Sequence, residues 1–236
     1  HWIRKASFRP FKLVGGDKAG REPWRSAAAL KWTVRAGHAR ESAWAKSQSR
    51  ARPSPTEGIR VAHEAWEQNI NTFETSAAGR LFDAAAALVL GRNMASFEGQ
   101  GPMELEQVSV TGCEAIPLPL EPDKYGLLRA DWAPMLPVLM DDSLPSAQRA
   151  GICHESMAQC LLEKARRIRR EYPIEAVGLS GGVFQNRFLT ERVAELLTGD
   201  GIEVRLHHEI PANDGGLCLG QITEAAALQR RAAIKD

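Results

Sequence analysis

The chain has 236 residues with 30 basic and 29 acidic side chains. This length can bury a sizeable core, but it is large for one domain and small for two. The balanced charge excludes a basic footprint for nucleic acid or an anionic membrane surface, and no apolar run approaches the ~20 residues of a membrane helix. We therefore expect a cytoplasmic protein with no nucleic-acid and no membrane partner. The start at His1, without methionine or a signal-peptide pattern, predicts a segment cut from a longer protein.

The first half of the chain is predicted to be mainly helical after a strand-like or irregular start of about 20 residues. Glu22-Pro23 is typical of a helix start, since a proline in the first turn costs no hydrogen bond. Gly91 is expected to end the third helix. The predicted helices span 24–46, 57–70 (capped by Thr56), 77–91 and 100–108, with a loop at Arg50–Pro55.

The second half alternates helices and strands. Prolines between Ile116 and Pro122 predict an extended segment, and Asp131 is expected to cap the helix that follows the first strand. The predicted elements are strand 125–129, helix 132–140, helix 146–170, strand 175–180, helix 187–198, strand 202–206 and helix 215–232. This order predicts an α/β fold whose sheet is covered by helices.

The predicted helix over 146–170 separates an apolar stripe from a basic face. The basic residues are expected to lie on a solvated face and at the helix C-terminus, where the dipole favours them; they are Lys164, Arg166, Arg167, Arg169 and Arg170. The four cysteines form no Cys-x-x-Cys pair and are expected to be buried, reduced thiols. They are Cys113, Cys153, Cys160 and Cys218, of which Cys153 and Cys160 share one helical face.

Two glycine turns are the strongest candidate site. Ser180-Gly181-Gly182 ends a predicted strand, and Asn186 stands at the start of the next helix, where backbone N–H groups can meet a phosphate or ribose. Asp214, before Gly215-Gly216, puts a carboxylate in a second turn. Each motif is weak alone, because glycines also serve close helix–sheet packing and Asp-Gly-Gly is ordinary turn and cap chemistry.

A second candidate lies near the start of the chain. Lys18, Arg21 and Arg25 follow a glycine turn, and the spacing puts Arg21 and Arg25 on one helical face suited to a phosphate or carboxylate. The alternative is an exposed helix start with a salt bridge to Glu22. Arg80 and Asp83 are equally consistent with an i, i+3 ion pair and with a site.

Several familiar site patterns are missing from the sequence. It has no Gly-x-Ser-x-Gly elbow, no Walker-type loop, no Gly-x-Gly-x-x-Gly and no zinc-finger spacing. The six histidines include no i, i+4 pair, so the sequence predicts no complete metal site within this chain.

Eight motifs, in order along nearly the whole chain, resemble the HypF family of carbamoyltransferases of [NiFe]-hydrogenase maturation. The motifs are Phe8-Arg-Pro-Phe11, Gly15-Gly-Asp-Lys18, Arg21-Glu-Pro-Trp-Arg25, Gly79-Arg-Leu-Phe-Asp83, Phe97-Glu-Gly-Gln100, Met103-Glu-Leu-Glu106, Leu179-Ser-Gly-Gly-Val-Phe-Gln-Asn186 and Asn213-Asp-Gly-Gly216. Jointly they are specific, although each is weak alone.

The resemblance implies a fold and an activity. The fold is an actin/hexokinase-like (ribonuclease-H-like) α/β lobe with a mainly helical insertion: residues 1–110 hold the edge of a first lobe plus the insertion, and 111–236 hold the second lobe. The activity is transfer of a carbamoyl group from carbamoyl-adenylate, made with ATP, to the C-terminal cysteine of HypE, where it becomes a cyanide ligand. HypE is thus the implied protein partner, and a homodimer is a further expectation because truncation would leave a lobe surface uncovered.

The resemblance also implies roles for residues. Those expected to border the nucleotide are Ser180, Gly181, Gly182 and Asn186, with Glu98, Gly99 and Gln100 nearby. Asp214 would bind a divalent metal, Fe or Mg, while Lys18, Arg21 and Arg25 would lie towards the carbamoyl or phosphate end. The family's paired-histidine motif lies upstream of this sequence, so another segment or a second copy would complete the metal site.

Three alternatives stay open at this point. The chain could belong to a small-molecule O-carbamoyltransferase or to an actin-like ATPase. It could also be a non-catalytic module that docks a partner. Nucleotide affinity and the acceptor of the carbamoyl group distinguish these functions.

Overall fold

The computed structural model describes residues 2–38 and 56–233, which form a mixed α/β structure. Three small sheets are present in these residues: β5 pairs in parallel with β1 and antiparallel with β4, β2 pairs antiparallel with β3, and β6 pairs in parallel with β7. The strands are β1 (Ala6–Phe8), β2 (Phe11–Val14), β3 (Thr72–Thr75), β4 (Leu120–Pro122), β5 (Leu128–Ala130), β6 (Ala176–Gly178) and β7 (Glu203–Arg205). The predicted α/β class is confirmed.

Helices supply most of the ordered backbone. They are α1 (Trp24–His38), α2 (Thr56–Glu67), α3 (Ala78–Leu90), α4 (Gln100–Val108), α5 (Leu136–Leu139), α6 (Ser146–Glu171), α7 (Arg187–Gly199) and α8 (Leu217–Ala233). Short 3-10 turns span Gly16–Gly20, Ala133–Met135, Gly182–Gln185 and Asp214–Gly216. The predicted end of α3 is confirmed, since Gly91 caps it with a left-handed φ of 69°. The predicted residues 39–46 of the first helix and the Arg50–Pro55 loop lie outside the described residues.

Some predicted elements differ from the structure. The expected strand 125–129 begins later, because Asp123 accepts the backbone N–H groups of Tyr125 and Leu127 and closes a turn there. The expected helix 132–140 is a 3-10 turn followed by the short α5, each with a proline near its start. β3 was not predicted, although its Thr-Phe-Glu-Thr sequence is typical of a strand.

The long helix α6 is the centre of the fold and packs against α3, α4, α5 and α7. Its apolar stripe belongs to one continuous core that runs from Phe8 to Ile202. β1 also pairs with β5. Both the core and this strand pair therefore cross the proposed division at residue 110, and the domain boundary stays a prediction.

The basic face of α6 was expected to be solvated, but it is partly covered by other residues. Lys164 is buried, with its Nζ 3.3 Å from the centroid of the Phe8 ring, so the aliphatic stem packs in the core and the ammonium meets an aromatic face. Arg166 and Arg169 both bind the carboxylate of Asp200, at 2.7 and 2.6 Å. The last two turns of α6 therefore hold the end of α7 in place.

The four thiols differ in accessibility. Cys153 and Cys160 are buried, as predicted, but Cys113 is half-buried and Cys218 on α8 is exposed, so the expectation of four buried thiols is wrong for these two. Burial raises the pKa of the Cys153 thiol to about 12, and it also raises the pKa of Cys160.

We expect thiol labelling of the native protein to follow this order. Cys218 should react fastest with an aromatic disulfide reagent, and Cys153 on the order of 100-fold more slowly or only after unfolding, because the thiolate is the reactive form. Mass spectrometry of timed samples measures each rate, and the variant Cys218→Ser should lose the fast phase. Labelling of Cys153 or Cys160 as fast as that of Cys218 would contradict the buried positions of the α6 thiols.

Candidate functional site

The two glycine turns meet in space. The backbone N–H of Gly181 donates to the carbonyl oxygen of Ala212 at 2.7 Å, and a Cβ added to Gly182 would lie 3.9 Å from the Cβ of Asn213. Ser180, Gly181 and Asp214 line one open groove of about 1040 Å³, which Trp2 and α8 also border. The structure thus brings Ser180, Gly181 and Asp214 to one groove, whereas Gly182 and Asn186 of the predicted site do not line it.

The first turn offers unpaired donors. Gly181 has φ 107° and ψ 155°, a conformation that only glycine adopts readily. Phe184 and Asn186 donate their N–H groups within the turn, to Gly181 and Val183. Within residues 2–38 and 56–233, the N–H groups of Gly182 and Val183 have no acceptor. Two adjacent free amides directly after a groove residue can bind an anionic oxygen.

The start of α7 is already occupied by protein groups. The side-chain oxygen of Asn186 accepts the N–H of Leu189 at 2.8 Å, and Glu106 accepts the N–H of Phe188 at 3.1 Å. Asn186 itself is buried. A phosphate at this turn would therefore meet the amides of the turn rather than the end of the helix, so the direct nucleotide contact predicted for the Asn186 side chain stays a prediction.

Asp214 is exposed at the start of the second turn. Asn213 accepts the N–H of Gly215 at 3.0 Å and shapes this turn, and Gly216 has no room for a side chain, since its Cβ would lie 2.8 Å from the carbonyl oxygen of Pro211. The described part of the chain contains no group of three or more His, Cys, Asp or Glu side chains that could hold a metal ion. These residues alone therefore do not fit a complete metal site, and Asp214 can supply at most one ligand.

The segment around Glu98 joins a second polar cluster at the start of α3. Arg80 binds Asp83 at 2.8 Å and Glu98 at 2.6 Å, and it donates to the carbonyl oxygen of Ala19 at 3.1 Å. The Arg80–Asp83 ion pair, one of two interpretations of the sequence, is thus present. Gly79 connects the cluster to the glycine turn, since its Cβ would lie 4.0 Å from a methyl group of Val183.

Gly99 and Gln100 shape the start of α4. Gly99 precedes the helix in a left-handed conformation, with φ 86°. The side-chain oxygen of Gln100 accepts the N–H of Ser96 at 2.7 Å, and its amide donates to Glu104 at 3.0 Å. Both side-chain groups of Gln100 are therefore engaged within this loop.

The basic residues near the start of the chain do not form the predicted paired face. Arg21 precedes α1 and ends the 3-10 turn, so it cannot share a helical face with Arg25. Arg25 binds Glu22 at 2.6 Å and stacks over the Trp24 ring. Glu22 therefore supplies the anion that the helix start requires, which is the alternative interpretation. Lys18 and Arg21 are exposed.

Asp83 has an unusual environment for a carboxyl group. Its side chain is 5% exposed, and burial raises its pKa to about 6, against the opposing effect of Arg80. Between the unfolded pKa near 4 and this value, the folded protein holds a proton that the unfolded chain has lost. Folding stability therefore decreases as the pH rises through this interval.

Asp83→Asn should remove this pH dependence. In the parent protein, Asp83 should lower the free energy of unfolding by up to about 3 kcal/mol between pH 4 and pH 7. Urea unfolding at several pH values measures the free energy of unfolding as a function of pH, and the slope of this dependence should be shallower in the variant. Equal slopes in the two proteins would show that Asp83 has the same pKa in the folded and unfolded states, which would contradict the raised pKa.

One polar network was not predicted from the sequence. The imidazole of His154, on the apolar side of α6, lies 2.8 Å from the amide nitrogen of Asn186 and 3.0 Å from the hydroxyl of Ser109. The only sequence signal is a histidine among core residues of a helix, and most such histidines are simply satisfied core groups.

Comparison with known proteins defines the class of this fold. Residues 1–221 match the family model for the second subdomain of the Kae1-like domain of carbamoyltransferases. The carbamoyltransferase HypF of Rhodobacter capsulatus is 37% identical over 226 residues, covering 95% of this chain and 28% of its own length. The carbamoyltransferase HypF of Rhizobium leguminosarum is 34% identical, and the match covers 93% of this chain and 27% of the relative's length.

Solved structures agree with this assignment. A crystal structure of full-length HypF in the phosphate- and nucleotide-bound form superposes with a TM-score of 0.78 at 27% identity, covering 94% of this chain and 28% of that one. HypF of T. kodakarensis superposes with a TM-score of 0.77 at 23% identity and supports the fold alone. The chain belongs to the HypF carbamoyltransferase family, and it spans somewhat more than a quarter of the length of these relatives. No helix in its described residues is long and apolar enough to cross a membrane.

Proposed function

We propose that this chain is part of an enzyme that moves a carbamoyl group from carbamoyl-adenylate to the C-terminal cysteine of a HypE-like protein. The product would serve cyanide-ligand synthesis in [NiFe]-hydrogenase maturation. Family membership supports the reaction class. The observation that carries the nucleotide assignment is the contact between the two glycine turns, with the free amides of Gly182 and Val183 directly after the groove residue Gly181.

The proposed step is an acyl transfer to sulfur. The partner's thiolate attacks the carbamoyl carbon, the new C–S bond forms, and the bond from that carbon to the adenylate phosphate oxygen breaks, which releases AMP. The free turn amides stabilise the negative charge of the phosphate. The buried thiols of α6 are unsuited to attack because burial raises the pKa of Cys153 and Cys160.

The proposal extends to a metal ligand and to the fold. Asp214 would supply one ligand to a divalent metal, Fe or Mg, and the described residues do not complete such a site. A metal held there would supply Lewis-acid polarisation. The α/β part of the chain corresponds to the second lobe of an actin/hexokinase-like domain, with the helices of the first 110 residues as an insertion. The superposition on HypF structures supports this assignment.

Titration calorimetry of ADP into the chain tests the nucleotide assignment. We expect saturable binding at one site, because a single groove holds both turns. Mass analysis of a peptide with the HypE C-terminus, after incubation with carbamoyl-adenylate, tests the transfer, and a peptide with serine in place of cysteine is the control. Absence of ADP binding to folded protein would overturn the nucleotide assignment. Carbamoylation of small alcohols instead of the peptide would favour the O-carbamoyltransferase alternative.

One observation favours partner docking as a second function. Helix α8 is almost entirely exposed, and its exposed apolar residues are Leu217, Leu219, Ile222 and Leu228. Exposed apolar patches mark interaction surfaces in soluble proteins. Retention of a HypE-like protein by this chain without nucleotide would support docking, and retention that survives Ile222→Glu would show that α8 is not the surface used.

A further inference from the structure

The buried histidine of α6 lies between aromatic rings from two other helices. His154 is completely buried, with its ring centroid 5.1 Å from that of Phe82 on α3 and 5.0 Å from that of Phe188 on α7. The two ring nitrogens of His154 therefore need hydrogen-bond partners within the protein, because an unpaired buried nitrogen costs stability.

The partners define the tautomer of His154. Nδ1 lies 2.9 Å from the carbonyl oxygen of Ala150, which can only accept, so Nδ1 carries the hydrogen. The oxygen of Asn186 accepts the N–H of Leu189, so its Nδ2 points at Nε2 of His154 and donates across 2.8 Å. The imidazole is therefore neutral and accepts at Nε2. Burial also lowers the pKa of His154, with Glu106 as the charged group that opposes this effect.

Asn186 connects this network to the glycine turn. The backbone N–H of Asn186 donates to the carbonyl oxygen of Val183 at 3.1 Å. The N–H of Phe184 donates to the carbonyl oxygen of Gly181 at 3.0 Å. A shift of Asn186 would therefore move the turn that carries the free amides. On the other side, the hydroxyl of Ser109 lies 3.0 Å from Nδ1 of His154 and donates to the carbonyl oxygen of Leu105 on α4.

We infer that His154 is a positioning residue for the Gly181–Gln185 turn: by accepting from Asn186 it fixes the side chain that caps α7 and holds the backbone of the turn. His154 does not line the groove that Ser180, Gly181 and Asp214 border, and its role in ligand binding rests on the proposed nucleotide function. Asn186 then acts on nucleotide binding indirectly, through the backbone of the turn, and not through a direct contact of its side chain with the nucleotide.

Amide hydrogen exchange without nucleotide tests the inference. His154→Leu removes the acceptor and should raise exchange of Phe184, Asn186 and Leu189 at least about tenfold more than exchange of Leu128, a distant amide bonded to Lys5. Met157→Ala, a buried change one turn along the same helix, is the matched control and should raise exchange without this selectivity. His154→Gln restores an acceptor and should recover part of the protection. Equal selectivity in His154→Leu and Met157→Ala would overturn the inference.

A second variant keeps the test decisive if His154→Leu fails to fold. Asn186→Asp retains a good cap for Leu189 but replaces the Nδ2 donor by an oxygen. That oxygen requires a hydrogen on Nε2 while Ala150 still requires one on Nδ1, so His154 should become an imidazolium. NMR titration of the imidazole should show a pKa at least one unit above that of the parent protein, and an unchanged pKa would contradict the Asn186–His154 bond.

ADP titration separates this inference from the proposed function. If the parent chain binds ADP, His154→Leu should weaken binding at least about fivefold, while Met157→Ala should leave the dissociation constant unchanged. If His154→Leu binds like the parent, the positioning role is refuted. If the parent chain does not bind ADP, the nucleotide assignment fails, and exchange and the histidine pKa still decide whether His154 holds the turn.

Discussion

Gly151→Ala should destabilise the protein by more than about 3 kcal/mol, because α6 crosses a backbone segment at this residue. An added Cβ would overlap the carbonyl oxygen of Val110 and lie 2.6 Å from the sulfur of Cys113. The carbonyl belongs to backbone, which cannot rotate away as the end of a flexible side chain can. Relief requires α6 to move, and α6 packs against α3, α4, α5 and α7. Urea unfolding followed by circular dichroism measures the loss.

Gly220→Ala is the matched control for this prediction. Gly220 is also a helical glycine, but its Cβ would meet nothing within 4 Å. Alanine has a higher helix propensity than glycine, so this variant should be as stable as the parent or more stable, by up to about 1 kcal/mol. A Gly151→Ala protein that unfolds at the same urea concentration as the parent would show that α6 does not approach residues 110–113 so closely.

Periodicity predicted the long elements well because their apolar stripes record what they bury. The bounds of α6 agree with the prediction within one residue, and its buried Cys153 and Met157 mark the stripe. The two glycine turns were also predictable, since tight turns need glycine whatever surrounds them. Local sequence was therefore sufficient for each turn by itself, whereas only the fold brings Gly181 and Asp214 to one groove.

Partners that lie far apart in sequence were not predictable. His154 and Asn186 are 32 residues apart, and nothing in either segment specifies the other. Lys164 resembles its arginine neighbours in charge, yet the position of Phe8 buries it. Arg25 shows the opposite case, because its partner Glu22 is three residues away and was foreseeable as an alternative.

Gly182→Val should abolish nucleotide binding while it leaves the fold intact. The Cβ of residue 182 has ordinary room, with the nearest atom outside the adjoining residues, on Asn213, at 3.9 Å, so the melting temperature should change by no more than about 3 °C. The branched side chain would, however, cover the free amides of residues 182 and 183. A phosphate that loses two backbone donors and meets methyl groups instead should bind at least about 100-fold more weakly. Calorimetric titration of ADP measures the change.

Gly178→Val separates loss of the site from a general effect of valine. Gly178 lies in β6 four residues earlier, outside the turn that carries the free amides, and its Cβ would meet nothing within 4 Å. Valine suits a strand, so this variant should bind ADP like the parent. Gly181→Ala should differ from Gly182→Val by losing stability as well as affinity for ADP, because φ 107° is strained for alanine. Binding of ADP to Gly182→Val with parent affinity would remove the turn amides from the site, since no phosphate could reach them past the valine.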